Sequence, residues 1–265
     1  MPAADNSADL DLLTRAAREA GAIAKAGFGT KPKTWEKSKG NPVTEVDLAV
    51  NVKLNELLLG ARPDYGWLSE ESADDPERLG KQRVFVIDPI DGTLAFIKHK
   101  PEFTVCAAVI DGGKPVAAVI FNPITDEMFA AVQGQRATLN GEPISVSATT
   151  ALEGSSMLVA KDVIWHPAWP QAWPKMDVAN RASIAYRMAL VACGRFDSMM
   201  SLSSKHEWDV ASGDLIVRAA GGRVTSHTGG ELRYNQPVPN LRSIICAGPA
   251  IHDAILDRTR GIKLP

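Results

Sequence analysis

The run Arg83-Val-Phe-Val-Ile-Asp88 constrains the fold more than any other part of the chain. Its centre is apolar without polar alternation, which predicts a buried strand rather than one with a wet face. Pro89 and Gly92 then break it abruptly. Three further β-type segments follow at Phe103–Asp111, Val116–Asn122 and Glu127–Val132. Gly112-Gly113 and Asn122-Pro123 turns separate them, so these three runs predict an antiparallel meander.

Helical spacing of Leu12, Leu13, Ala16, Ala20, Ile23 and Ala24 predicts a helix over Asp9–Phe28, stopped by Gly27 or Gly29. A polar segment with Lys31, Lys33, Lys37 and Lys39 reads as a loop, and Val46–Leu59 as a second helix. Tyr65–Glu71 reads as a short strand ending in two acids, and residues 72–82 as a loop. The second half alternates. Strands are expected near Met157–Ala160, Arg195–Ser201 and Arg223–Ser226, helices over Ser183–Cys193 and Asp209–Ala220, then a last strand and helix. An α+β half (1–150) carrying acidic motifs and an α/β half (151–265) completing the site, joined in one compact unit, fit a layered sandwich better than a barrel.

A length of 265 residues is enough for such a core, and 45% hydrophobic with 23% charged residues is an ordinary globular profile. A net charge of −2 without basic blocks excludes an extended nucleic-acid surface. Cys106, Cys193 and Cys246 have no metal-ligand spacing and read as buried free thiols. No apolar run approaches membrane-spanning length, and the acidic start MPAADNSADLDLL has no apolar signal core, so a cytoplasmic protein is expected.

Four acidic features carry the chemistry, and each has a plain structural reading beside it. Asp88-Pro89-Ile90-Asp91-Gly92-Thr93 is a turn, or a site in which Pro89 makes Asp88 and Asp91 converge and Gly92 lets backbone amides approach an anion. Ser69-Glu70-Glu71 is a solvated acidic turn or a ligand-bearing strand end. In Glu207-Trp208-Asp209 the aspartate reads first as a helix N-cap, and in Pro42–Asp47 capping by Thr44 is the default.

Together, in order and spacing, these features resemble the inositol monophosphatase superfamily over nearly the whole chain, and 3'(2'),5'-bisphosphate nucleotidases in particular. The resemblance implies an αβαβα layered sandwich of mixed α+β and α/β character, a homodimer, lithium sensitivity, and hydrolysis of a small phosphorylated metabolite with two or three Mg²⁺. It implies Glu70, Asp88 and the Ile90 carbonyl as ligands of a first ion, and Asp88, Asp91 and Asp209 as ligands of a second. Asp47 and Thr93, with Glu70, would activate water, and the Gly92 and Thr93 amides would hold the phosphate. Lys37 resembles the basic residue that closes over the site. Ser69 stands where the family has glycine. All-oxygen ligation suits Mg²⁺, and four converging acids demand a counter-charge, because like charges 4 Å apart repel by about 4 kcal/mol at an effective dielectric near 20.

Substrate choice rests on fewer residues. Family members that take inositol phosphate carry a glutamate seven residues before the Trp-Asp aspartate; here that position is Leu202, which cannot accept hydrogen bonds from inositol. Arg187 stands where bisphosphate nucleotidases have lysine, and reads either as a surface residue or as a cation for a second phosphate. Lys161 has a weaker claim. Trp165, Trp169 and Trp173 are loop aromatics or a lid over a nucleobase. A bisphosphorylated nucleotide such as 3'-phosphoadenosine 5'-phosphate is favoured, inositol phosphate next, then a sugar bisphosphate or histidinol phosphate. A binding role beside the transcription machinery, known for some bacterial relatives, is the non-catalytic alternative.

Overall fold

A computed structural model describes residues 6–38, 40–167 and 169–264; Lys39 and the first five residues of the acidic start lie outside them. Helix α1 (Asn6–Gly27) is followed by a hairpin, β1 (Thr34–Ser38) and β2 (Asn41–Thr44), then by α2 (Glu45–Ala61). The segment holding Lys37 is therefore a strand, not the expected loop, and it pairs with β2 from Thr34↔Thr44 to Ser38↔Asn41.

The first large sheet has seven strands: β3 (Gly66–Ser69), β4 (Arg83–Asp91), β5 (Thr104–Asp111), β6 (Lys114–Asn122), β7 (Glu127–Val132), β8 (Thr138–Leu139) and β9 (Glu142–Pro143), adjacent in that order. β3 and β4 run parallel, and every later neighbour is antiparallel, as the meander required. A short helix α3 (Thr93–Ile97) follows β4, and a 3-10 turn (Pro76–Gly80) interrupts the segment read as a loop. Pro89 does not end β4. The strand jumps register between Asp88 and Asp91 and resumes with Asp91 opposite Thr104, so the break is a bulge that re-aims two carboxylates.

The second sheet holds five strands in the order β11 (Asp177–Ala179), β10 (Ser156–Leu158), β12 (Ser198–Ser201), β16 (Ile244–Ala247), β14 (Arg223–Thr225). β13 (Lys205–His206) and β15 (Asn240–Leu241) form a separate ribbon. Helices α4 (Lys161–Ile164), α5 (Ile184–Ala192), α6 (Glu207–Ala219) and α7 (Pro249–Thr259) complete the order. Helix α6 starts two residues before the expected Asp209, and β12 is shorter than the run read from Arg195.

Alternation along β4 explains both the apolar run and the layering. Phe85 and Ile87 join Leu13, Ala17, Val50 and Leu54 of α1 and α2 in one core, while Val84 and Val86 join Met188, Ala211, Ile216, Met199 and Cys246 in a second. The far face of the second sheet, through Met157, Met200 and Ile245, packs on Ile251 and Ile255 of α7. Helix, sheet, helix, sheet, helix is the αβαβα sandwich. Both faces of the first large sheet are covered at β4, β5 and β6, so the middles of these strands, which would alternate in a half-wet sheet, are apolar. Cys106 and Cys246 are buried and Cys193 only partly so; all three thiols are free. Among the described residues no helix is long and apolar enough to cross a membrane.

The middle layer is thin where α5 meets α6. A Cβ on Gly213 would lie 2.6 Å from Met188 Sδ and 2.7 Å from Met188 Cβ, which no side-chain rotation relieves. Gly213→Ala is expected to destabilise the protein by roughly 1–3 kcal/mol from overpacking, despite a helix-propensity gain of about 1 kcal/mol. Urea denaturation checks the sign; a gain in stability would show that the two helices are free to separate.

Candidate active site

The parallel pairing of β3 with β4 brings two acidic strand ends to one edge. Ser69 lies opposite Ile87, and the Glu70 amide donates to the Ile87 carbonyl at 3.3 Å, so Glu70 and Asp88 leave the sheet side by side. Ser69 Oγ donates to Asn51 Oδ1 at 2.7 Å, and Asn51 Nδ2 donates to Ser72 Oγ at 3.0 Å. The departure from glycine at Ser69 thus ties the acidic strand end to α2.

The bulge in β4 turns Asp91 towards the second half of the chain. Its Oδ2 accepts from Ser183 Oγ and from the Ala185 amide, each at 2.6 Å, at the first turn of α5. Gly92 follows with φ of 100°, and a Cβ there would meet the Glu102 carbonyl at 2.9 Å, so only glycine fits. The next residue, Thr93, lies with its hydroxyl 3.0 Å from Asp47 Oδ1 and 3.1 Å from the Ile90 carbonyl.

Asp47 serves two ends of one interaction. Oδ2 accepts from the Thr44 amide at 2.9 Å and from the Thr44 hydroxyl, while Thr44 Oγ1 accepts from the Val46 and Asp47 amides, a complete capping box at the start of α2. Oδ1 is left for Thr93. Asp209 repeats the device. It is not the N-cap but the third residue of α6, and its Oδ2 accepts from the His206 amide at 3.0 Å. The capping readings and the clustering of acids therefore coexist, because a carboxylate has two oxygens.

The electrostatics record how close these groups are. Burial, then the charges of Glu70, Asp91, Asp209 and Asp47, pushes the Asp88 carboxyl far above the usual carboxylate range. Asp209 is raised by burial and then by Asp91 and Glu70, and Asp91 by burial against the opposing bonds from Ser183 and Ala185. Burial also raises Asp47, opposed by the bonds from Thr44 and Thr93. Asp88 Oδ1 is buried with no hydrogen-bond partner, a costly state for an isolated carboxylate oxygen. Among the described residues no three His, Cys, Asp or Glu side chains are already gathered into a metal cage. Instead Lys37 supplies a positive charge, its Nζ donating to Glu70 at 2.6 Å and to Glu71 at 2.7 Å. Burial alone would lower the Lys37 pKa, but the two glutamates outweigh it and raise it. An orphaned buried oxygen, hard oxygen donors and unbalanced negative charge are the features a magnesium ion would satisfy.

Arg187 is neither a free surface residue nor remote from the acids. It is half-buried in α5, its Nε donates to the Arg181 carbonyl at 2.6 Å, and Asp91 and Glu102 lie close enough to oppose the lowering of its pKa by burial. Lys161 opens α4, and Leu202 packs against the outer core with Trp169. Trp173 is buried, with Trp169 edge-on to it at 5.0 Å, while Trp165 is 63% exposed. Sequence reasoning missed Ser183 and Asn51. Only Ser183 had a local signal, as the cap before the α5 pattern.

Comparison with known proteins identifies the family. The family model described as "Inositol monophosphatase family" matches residues 5–263. The chain belongs to the inositol monophosphatase family. It is 31% identical over 261 residues to "Nus factor SuhB" of Escherichia coli K12, covering 95% of each chain. It is 33% identical to "Inositol monophosphatase 2" of Solanum lycopersicum, covering 84% of this chain and 88% of that protein. The solved structure of the extragenic suppressor protein suhB from Bartonella henselae superposes with a TM-score of 0.80 at 30% identity, covering 96% of this chain and all of that one.

If the acid set exists to hold cations, removing one charge should abolish the cation's effect without harming the fold. Asp91→Asn keeps a carbonyl oxygen for Ser183 and Ala185. In EDTA its thermal midpoint is expected to equal or exceed that of wild type. Saturating Mg²⁺, worth about 2.7 kcal/mol at a hundred times Kd, should raise the wild-type midpoint by roughly 5 °C and the variant's far less. Equal Mg²⁺ shifts in both proteins would remove Asp91 from the ligand set.

Proposed function

We propose that this protein is a Mg²⁺-dependent phosphomonoesterase acting by direct attack of water on a small phosphate ester. The observation that carries this reading is the unpartnered, buried Asp88 Oδ1 at the centre of Glu70, Asp91, Asp47 and Asp209. Glu70, Asp88 and the Ile90 carbonyl would hold one ion, and Asp88, Asp91 and Asp209 a second. When bound, the ions supply positive charge that neutralises the phosphate and acidifies water.

The chain's own residues perform the rest. The Thr93 hydroxyl donates to Asp47 Oδ1, which orients its lone pairs outward to accept a proton from the attacking water. Asp47, fixed by its bonds from Thr44 and Thr93, would take that proton through the Thr93 hydroxyl as the new P–O bond forms, while the ester P–O bond breaks and the leaving oxygen departs as the alcohol after taking a proton from solvent water. Gly92 and Thr93 present the backbone amides proposed for the phosphate oxygens. Lys37 is the residue that would exchange its glutamate contacts for the substrate phosphate. No histidine or cysteine nucleophile is needed.

For the substrate, Arg187 and Leu202 support a nucleoside bisphosphate over inositol phosphate. Arg187 lies within electrostatic range of Asp91, and on this reading its guanidinium would pair with a second phosphate. Leu202 lines a cavity of about 400 Å³ with Val163, Trp169, Ile262 and Leu264, beside the polar Asp162, His166 and Lys263, and its side chain offers no acceptor for inositol hydroxyls. The name carried by the Escherichia coli relative favours a second reading, in which this chain also contacts transcription proteins. Pull-down from lysate of wild-type and Asp91→Asn protein separates a binding role from turnover.

The decisive measurement is phosphate release with Mg²⁺ across nucleoside bisphosphates, inositol phosphates, sugar phosphates and histidinol phosphate. Arg187→Ala is expected to lower kcat/KM for a 3',5'-bisphosphate by roughly ten- to a hundred-fold, the worth of one charge-assisted contact, and to leave a nucleoside monophosphate nearly unaffected. Equal losses on both substrates, or none on either, would refute the contact. A wild-type preference for inositol 1-phosphate would overturn the substrate assignment.

A further inference from the structure

Glu207 stands two residues before Asp209 yet turns away from the acid cluster. It is wholly buried, and both its oxygens are engaged: Oε2 accepts the Asn235 amide at 2.6 Å and Oε1 the Gln236 amide at 3.0 Å. Its own amide donates to the Pro239 carbonyl at 2.9 Å.

The same two residues are gripped from the opposite side by Arg78. Nη1 donates to Asn235 Oδ1 at 2.6 Å and Nη2 to the Gln236 carbonyl at 3.0 Å, while Asn235 Nδ2 donates to the Arg78 carbonyl at 3.3 Å. Asp74 holds the guanidinium in a fork at 2.6 and 2.9 Å. Arg78 is 2% exposed and belongs to the segment that follows Glu70 and Glu71. That segment lies hard against the start of β3, where a Cβ on Gly66 would sit 3.0 Å from Arg78 Cβ.

A buried cation and a buried anion thus hold one dipeptide between them without touching each other. Buried charges of this kind are poor sources of net stability compared with apolar packing, so their use here points to geometric specification. One end of the clasp is fixed to the strand that delivers Glu70, the other to the first turn of the helix that delivers Asp209.

We propose that Arg78 and Glu207 are positioning residues which, through Asn235 and Gln236, set Asp209 at its distance from Glu70 and so tune the affinity of the carboxylate set for a divalent cation. The inference rests on the metal-dependent reading of the site. It is tested on the full chain by calorimetric titration with Mg²⁺ alone, without substrate, beside urea denaturation.

Wild type is the control: if it binds no Mg²⁺, the metal reading itself falls. Two variants then test the clasp. Glu207→Gln weakens the grip on both amides. Asn235→Gly removes two of the three bonds that join Arg78 to this dipeptide, leaving the one to the Gln236 carbonyl, without changing any charge, and glycine suits its φ of 57°. Each is expected to raise the Mg²⁺ Kd by about ten-fold, the low end of what loss of an outer support of a metal site costs. The double variant should lose little more than the worse single one, because both act on one element. Wild-type Kd in a folded Asn235→Gly would overturn the proposal, even if Glu207→Gln binds less tightly, since a charge effect alone would explain the latter. If Glu207→Gln does not fold, Asn235→Gly decides by itself.

Discussion

Mutual repulsion among Glu70, Asp88, Asp91, Asp47 and Asp209 is the constraint to which the rest of the structure answers. Carboxylates pressed together under an apolar sandwich raise one another's pKa, and burial raises them further. A chain of ordinary stability can hold such a group only if each member is fixed by its own bonds and the charge is balanced. The fold does both. Two parallel strand ends, a bulge and three helix starts each deliver one part, so no single loop carries the whole cost.

The helix starts matter electrostatically as well as geometrically. Asp47 lies in the first turn of α2, Asp91 accepts from the first turn of α5, and Asp209 lies in the first turn of α6. The amino end of a helix is a partial positive charge worth typically 0.3–1 kcal/mol to an adjacent anion. Three such ends offset part of the repulsion before any cation arrives, and Lys37 offsets more at Glu70. The remaining imbalance sits at Asp88, the one member with a buried oxygen that nothing in the chain satisfies. On the proposed metal-dependent reading, that is the position at which a cation would contribute most.

The polar network around the site also explains why capping and ligation need not compete. In Asp47 and Asp209 one oxygen closes a capping box and so fixes the rotamer, while the other points elsewhere. A carboxylate held in this way by a helix start keeps its second oxygen in a fixed direction. Away from the acids, the same logic runs through Arg78, Asn235 and Glu207, where buried charges specify a distance between elements that apolar packing alone would leave to slide.

The sequence by itself determined the strands and helices whose patterns are local: the buried run at Val84–Ile87, the meander turns, and the helical spacing of α1, α2 and α6. It also marked the strand ends and helix starts that bear the acids, by proline, glycine and capping side chains within a few residues, while joining those acids into one set rested on the resemblance to a family. Where expectation and structure part, the deciding contact is distant. Residues around Lys37 form a hairpin because β2 pairs with them, Pro89 is absorbed by a bulge because Thr104 recovers the register, and Asp91 finds Ser183 across 92 residues. Arg78 meets Asn235 across 157. Local rules act over one turn of helix or one pair of strands. Which carboxylate faces which helix, and how far apart two acids stand, is settled only when the sheets pack and bury those groups together.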